Sequence, residues 1–363
     1  MDTSDSKLVF DLNGVCDYCR NYKSKLKTDI ESKSLKDLEK FASRIKLEGK
    51  NKKYDCIIGL SGGADSSFLV YYAKEVLGLR PLVFTVDTGW NLNVAIENIE
   101  KLVKGLNLDL YTEVINWNEM KNLQRSFFLA DVPYQDLPQD HVIFAGLYRY
   151  AVKHKIQYVL TGSNTTTEGV RPPIEWVYFN DIKLIKSIHK KYGKLPLKTM
   201  PLVGMIKYKI YYEYILGMKR FYPLDYITYN KEEVEKLLFE KFGWQKYENK
   251  HYENVFTRFY EGYYLIKKFN FDKRKCYQSN LILSGQISRE AALSNLSKNP
   301  YDENLVKKDM KYIAKKLGFS LPEFEGIINR KGKSFRDYPN SYIILKSLIR
   351  LAQLLKIEKR EFR

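Results

Sequence analysis

Cysteine and histidine are scarce, with four of each in 363 residues. So few thiols exclude a disulfide-framed secreted scaffold, and a chain of this length closes a core without cross-links. No apolar run reaches about eighteen residues, so no membrane-spanning helix is expected. Met1-Asp2-Thr3-Ser4-Asp5 lacks both the basic and the apolar part of a secretion signal, and a cytoplasmic location is expected. Two familiar nucleotide loops are missing, the Gly-x-x-x-x-Gly-Lys loop and the Gly-x-Gly-x-x-Gly fingerprint. There is no evident Ser-His-Asp pattern, internal repeat or low-complexity segment.

What is present is basic and half-apolar: 44% hydrophobic residues and a formal net charge of +18. The excess suits a polyanionic partner, whether nucleic acid or a phosphorylated substrate. The basic residues are dispersed, however, and Lys, Tyr, Asn and Ile are abundant throughout, so composition alone accounts for much of the charge. Cys56 lies in an apolar run and reads as a buried small hydrophobe. Cys276 stands alone, and only Cys16 and Cys19 form a motif.

Residues 1–48 read as a small turn-rich unit followed by a polar helix over 34–47. From Tyr54 the pattern changes to short apolar runs alternating with amphipathic stretches. Strands are expected at 55–60, 82–87, 110–115 and 157–160, and helices at 66–77, 93–106 and 141–154. This alternation predicts an α/β doubly wound parallel sheet over 49–200. Beyond Arg171, prolines punctuate the chain. Helical stretches at 207–218, 231–242, 256–268 and 302–317 predict a mainly helical C-terminal substrate or lid part over 201–363.

The first strand runs into Ser61-Gly62-Gly63-Ala64-Asp65-Ser66-Ser67 and then into a helix. Two glycines allow a sharp turn and close approach of a ligand. The amides that follow, with the helix N-terminus, make an anion cradle. Ser61, Ser66 and Ser67 add hydroxyl donors, and Asp65 makes sense as the holder of a Mg²⁺ that bridges phosphates. The plainer alternative, a Ser/Gly turn with an Asp-Ser helix cap, explains less of the succession.

This loop resembles the SGGxDS motif of PP-loop (adenine nucleotide alpha-hydrolase) enzymes, which cleave ATP between the alpha and beta phosphates and pass AMP to a carbonyl oxygen. The resemblance implies that Asp87, ending the second strand, and Gly162 and Asn164, in the turn after the fourth, join Ser61, Gly62, Gly63, Asp65, Ser66 and Ser67 around ATP. Longer segments narrow the likeness: Phe10-Asp11-Leu12-Asn13-Gly14-Val15-Cys16-Asp17-Tyr18-Cys19, Lys250-His251-Tyr252-Glu253 with Thr257-Arg258-Phe259-Tyr260-Glu261-Gly262, and Asp272-Lys273-Arg274 with Leu283-Ser284-Gly285-Gln286. Over nearly its whole length the chain looks like the N-acetyl sugar amidotransferase family of bacterial surface-polysaccharide and lipopolysaccharide biosynthesis. That likeness implies an enzyme that converts the acetamido group of a nucleotide-linked sugar into an acetamidino group. Ammonia would come from a separate glutaminase subunit, with a cyclase-like subunit as conduit.

On this reading Asp65, Arg258 and Arg274 are the catalytic candidates, the arginines clamping pyrophosphate or substrate phosphates. His251 and Glu253 have general-base potential but also suit an ordinary surface. Family members carry a further Cys-x-x-Cys upstream of the Met-Asp-Thr-Ser-Asp stretch, and four cysteines at that spacing suit structural zinc. Cys16 and Cys19 are therefore expected to be a partial Zn²⁺ site. The rival readings are a tRNA-modifying PP-loop enzyme (lysidine synthetase or thiolation type), which the positive charge favours, and a non-catalytic nucleotide sensor.

Overall fold

A computed structural model of the chain describes residues 1–26, 32–247 and 252–354. Its centre is a five-stranded, wholly parallel sheet: β1 (Cys56–Gly59), β2 (Pro81–Asp87), β3 (Leu110–Val114), β4 (Tyr158–Leu160) and β5 (Lys219–Phe221), in spatial order β3-β2-β1-β4-β5. The chain therefore steps outward from β1 in one direction and returns to β1's other side for β4. In open α/β sheets the crevice beyond the strands' carboxyl ends, at such a reversal, is where ligands sit.

Both faces of the sheet are covered, as parallel strands require. On one face Phe84, Ile57 and Val159 pack with Phe127, Val142 and Ile185, which come from helices Trp117–Leu129, Leu137–Lys153 and Ile182–Tyr192. On the other, Ile58, Val83 and Leu160 pack with Leu69, Leu102 and Leu238, from helices Ala64–Tyr71, Asn93–Gly105 and Lys231–Phe242. A third core, around Phe128, Phe259 and Phe324, joins helix Val255–Phe259 to helices Glu303–Leu317 and Leu321–Asn329. The doubly wound sheet is as the sequence predicts, with each expected strand within a residue of its place.

Other elements differ from expectation. Residues 201–363 are mainly helical but also supply β5, which closes one edge of the sheet and pairs with β4. A three-residue strand carries too little periodicity to be read locally. Residues 207–215 form a widened helical turn of π type rather than an ordinary α-helix. The N-terminal unit holds Tyr18 and Tyr22 against Val170, Trp176 and Cys276, so residues 1–26 dock onto the helical part far along the chain.

Candidate functional site

The loop after β1 is built as its composition implies. Gly62 has φ +86°, and a Cβ there would stand 2.8 Å from the carbonyl oxygen of Ala95. Only glycine lets the turn nest against helix Asn93–Gly105. The Ser66 hydroxyl lies 3.2 Å from the Ser61 hydroxyl and 3.2 Å from the Gly63 carbonyl, and the Ser61 amide donates to Ser66 Oγ. Ser67 is fully buried, and its hydroxyl has no hydrogen-bond partner among the described residues. Asp65 accepts a hydrogen bond from the buried Tyr229 hydroxyl. Burial and the facing carboxylate push that phenol's proton affinity far up, so Tyr229 stays a donor.

The turn after β4 closes on this loop from the side. A Cβ on Gly162 would sit 2.9 Å from the Asp65 carbonyl and 3.0 Å from the Ser66 amide, so Gly162 is the residue that permits the approach. Asn164 is buried and caps the short helix Thr165–Glu168 by accepting from the Thr167 amide at 2.9 Å. It shapes the turn rather than facing the cavity. Asp87 likewise turns inward on its own loop, accepting from the Gly89 amide at 2.7 Å, while its neighbours Val86 and Thr88 line the cavity.

That cavity has a volume of about 1140 Å³ and runs from the phosphate loop to the C-terminal helices. Ser61, Gly63, Asp65 and Ser66 line one end, and Glu253 lies against Gly63. The opposite wall carries Asp136, Asp140, Glu261, Lys273 and Tyr277. Lys273 is ion-paired with Glu261, and the Tyr277 hydroxyl donates to the same carboxylate at 3.2 Å. Desolvation works against the Lys273 charge, but Glu261, Asp136 and Asp140 outweigh it and raise its pKa. Glu261 lies on a π-type turn, Tyr260–Tyr264, inside the helical run from 255 to 269. Such turns are frequent at functional sites.

The two arginines expected to be catalytic part company. Arg274 lines the cavity, but its guanidinium is held by Asp272 and by the carbonyls of Asn295, Leu296 and Lys298. Arg258 is not among the cavity-lining residues. Its side chain is 14% exposed, and the guanidinium forms a close ion pair with Asp309 at 2.6 Å and a hydrogen bond with Tyr301 at 3.0 Å. The structure gives Arg258 a packing partner 51 residues away, which no local motif could reveal. His251 and Lys250 lie outside the described residues.

The glycine-shaped cradle at 61–66 and 162 fits a nucleotide triphosphate, and Asp65 at its rim fits an accompanying Mg²⁺. Zinc fits less well. The Cys16 and Cys19 sulfurs are 3.3 Å apart at the start of helix Asp17–Lys25. Among the described residues no group of three or more His, Cys, Asp or Glu is arranged to hold a metal ion. Two thiols are half of a tetrahedral structural site. Among the described residues no helix is long and apolar enough to cross a membrane.

Sequence reasoning missed the wall opposite the loop. Asp136 and Asp140 lie four residues apart at the start of one helix, whereas Glu261 and Lys273 come from segments more than a hundred residues further on. The one local signal was Asp272-Lys273-Arg274 preceding a helix.

Residues 253–353 match the family described as LPS biosynthesis protein WbpG-like, C-terminal domain. A stretch of 78 residues is 37% identical to an uncharacterized protein of Methanocaldococcus jannaschii, spanning 22% of this chain and only 27% of that protein's length. Among solved structures, NMN synthetase from Francisella tularensis is 19% identical over 59% of this chain and 86% of its own, with a TM-score of 0.30. NH3-dependent NAD synthetase from Campylobacter jejuni is 17% identical over 78% and 96%, with a TM-score of 0.30. The U34-tRNA thiolase of Methanococcus maripaludis is 14% identical over 77% and 79%, with a TM-score of 0.32.

Proposed function

We propose that this chain, an ATP-using PP-loop enzyme of lipopolysaccharide biosynthesis with a WbpG-like C-terminal domain at residues 253–353, converts the acetamido group of an N-acetyl sugar into an acetamidino group. The observation that carries the reading is the shared cavity. Ser61, Gly63, Asp65 and Ser66 line one end, and Thr257, Glu261, Lys273 and Arg274 of the WbpG-like segment line the other. At about 1140 Å³ the chamber exceeds what a single small ligand usually occupies, about 300–1,000 Å³. It suits ATP and a sugar conjugate held together.

The chemistry suits these residues. An amide carbon is a poor electrophile because its nitrogen donates into the carbonyl. Transfer of AMP to the amide oxygen makes that oxygen a leaving group, and ammonia then replaces it. The loop amides and the hydroxyls of Ser61 and Ser66 would hold the departing pyrophosphate, where charge develops. Asp65, kept in place by Tyr229, would hold Mg²⁺, which when bound draws charge from the phosphates. Asp87, Gly162 and Asn164 would shape the nucleotide edge, and Arg274 the far wall.

Ammonia would come from a separate glutaminase, with a cyclase-like subunit as conduit. A glutaminase needs an activated cysteine. Cys56 and Cys276 are buried, and burial pushes the Cys276 thiol up to about 12 and that of Cys56 higher still. Burial and its Cys16 neighbour raise Cys19 as well. Such thiols are poor nucleophiles.

The test is an incubation with Mg-ATP, ammonium chloride and UDP-linked N-acetylhexosamines of different configuration. AMP and pyrophosphate are expected, with a sugar product lighter by the difference between O and NH. Glutamine should not replace ammonium. ADP as the main nucleotide product, or AMP release that depends on tRNA and not on sugar, would overturn the reading.

A further inference from the structure

We infer that Asp136 is the base that takes a proton from incoming ammonium, so that free ammonia forms inside the cavity; the inference rests on the amidotransferase reading above. An ammonium ion has no lone pair, and at neutral pH most ammonia in solution is in that form. When the nitrogen is taken from solution as ammonium, and not through a glutaminase conduit, the proposed reaction needs a proton acceptor on the cavity wall.

Asp136 stands at the start of helix Leu137–Lys153, yet its carboxylate does not cap that helix. Its Oδ1 instead accepts from Thr257 Oγ1 at 3.1 Å and from Gln139 Nε2 at 3.2 Å. The Oε1 of Gln139 in turn accepts from Thr88 Oγ1 at 2.7 Å. Thr88 directly follows β2, so the carboxylate is tied through two side chains to the strand-end edge where the nucleotide would lie. Thr257 ties it to the WbpG-like segment from the other side. All four residues line the cavity.

The charges that face Asp136 are Asp140 from its own helix, Glu261 from the helical run 255–269, and Lys273 ahead of helix Arg274–Leu283. Lys273 is committed to Glu261. Among the described residues no cation makes a hydrogen bond to Asp136. Among the described residues this wall therefore brings Asp136, Asp140 and Glu261 together with Lys273. Burial first, then Asp140 and Glu261, hold the Asp136 carboxyl well above the usual carboxylate range, so it keeps an accepted proton more firmly than an ordinary aspartate.

The step balances. One N–H bond of ammonium breaks as an O–H bond forms on Asp136, and the nitrogen keeps the electron pair. That pair forms the C–N bond to the adenylated amide carbon. The C–O bond to AMP breaks and its electrons leave with AMP.

Hydroxylamine separates the base from a merely structural residue, because it is already uncharged at neutral pH. Full-length wild type and Asp136→Asn are compared for AMP release with Mg-ATP and the UDP-N-acetylhexosamines, using either ammonium chloride or hydroxylamine. For Asp136→Asn the ammonium-supported rate should fall about 100-fold or more. Its hydroxylamine-supported rate should stay within about threefold of wild type, with residual ammonium use rising about tenfold per pH unit as free ammonia does. Thr257→Val removes a hydrogen bond to the charged form and should move the ammonium pH profile to higher pH. Equal losses with both amines, or an unchanged Thr257→Val profile, would overturn the role of Asp136. Amine-dependent AMP release from wild type with an unimpaired Asp136→Asn would overturn this inference alone. Failure of wild type with both amines and every sugar would overturn the amidotransferase reading itself.

Discussion

Trp244 donates its indole N–H to the carbonyl of Gly62 at 3.0 Å, and the Tyr247 hydroxyl reaches the same oxygen at 3.2 Å. The segment after helix Lys231–Phe242 thereby fixes the phosphate loop. Trp244 is fully buried, so Trp244→Phe both leaves a carbonyl under-satisfied and opens a gap. A loss of about 1–3 kcal/mol is expected from urea denaturation, together with weaker ATP binding by calorimetry. Unchanged nucleotide affinity would show that the clamp does not govern the loop.

Gly62 and Gly285 separate two costs of replacing glycine. Both have positive φ, but a Cβ on Gly285 meets nothing within 4 Å, whereas one on Gly62 meets the Ala95 carbonyl. Gly285→Ala should cost about 1–2 kcal/mol through backbone conformation alone. Gly62→Ala should cost more and abolish ATP binding. Thermal melts with and without Mg-ATP read both effects, and equal behaviour of the two variants would refute the packing argument.

Arg258 is expected to act on stability. Arg258→Ala leaves Asp309 buried without its cation and should cost about 3–5 kcal/mol. Arg258→Met with Asp309→Leu removes both charges and should regain most of that loss. If the double variant is stable and still releases AMP at the wild-type rate, the guanidinium has no catalytic part. A stable double variant with no AMP release would restore Arg258 to the site.

His141 makes the fold acid-sensitive. It is fully buried, gives its Nδ1 proton to Asn180 and accepts the Val203 amide at Nε2, 3.1 Å away. Burial holds its pKa below the ordinary 6.5. The native state then binds fewer protons than the unfolded state between the two values, so stability rises with pH there. The contribution is complete above about 6.5 and lost as pH falls towards the folded value. The wild-type melting temperature should drop between pH 7 and pH 5 by more than that of His141→Gln. Parallel pH profiles would rule this out.

Local patterns carried the parts of the molecule that are local. The run from Cys56 through Ser67 contains a strand, its turn and a helix start within a dozen residues, and all three are where the sequence put them. The helix at 117–129 escaped notice although Asn116 caps it by accepting from the Asn118 and Glu119 amides. Glu119 itself turns away to accept the Thr199 and Met200 amides. Asp136 and Glu261 were illegible for a different reason. Their importance lies in a shared cavity wall assembled from segments 125 residues apart, which no local pattern joins, although Glu261 falls within a segment that carried the family likeness. Asp87 and Asn164 show the converse, since residues matched to a motif prove to be shaping turns by hydrogen-bonding their own loops.

The return of the chain to β1's far side has a kinetic consequence. β1 can pair with β2 as soon as both have been made, but β4 arrives about a hundred residues later and the indole that clamps Gly62 is 182 residues distant. Contacts of such separation form slowly, because the intervening loop must be closed before they repay its entropy. A ribosome-bound chain ending before residue 244 holds a phosphate loop that is written but not yet gripped. On the proposed reading, nucleotide binding should be acquired near the end of folding, and partly folded chains should not compete for ATP.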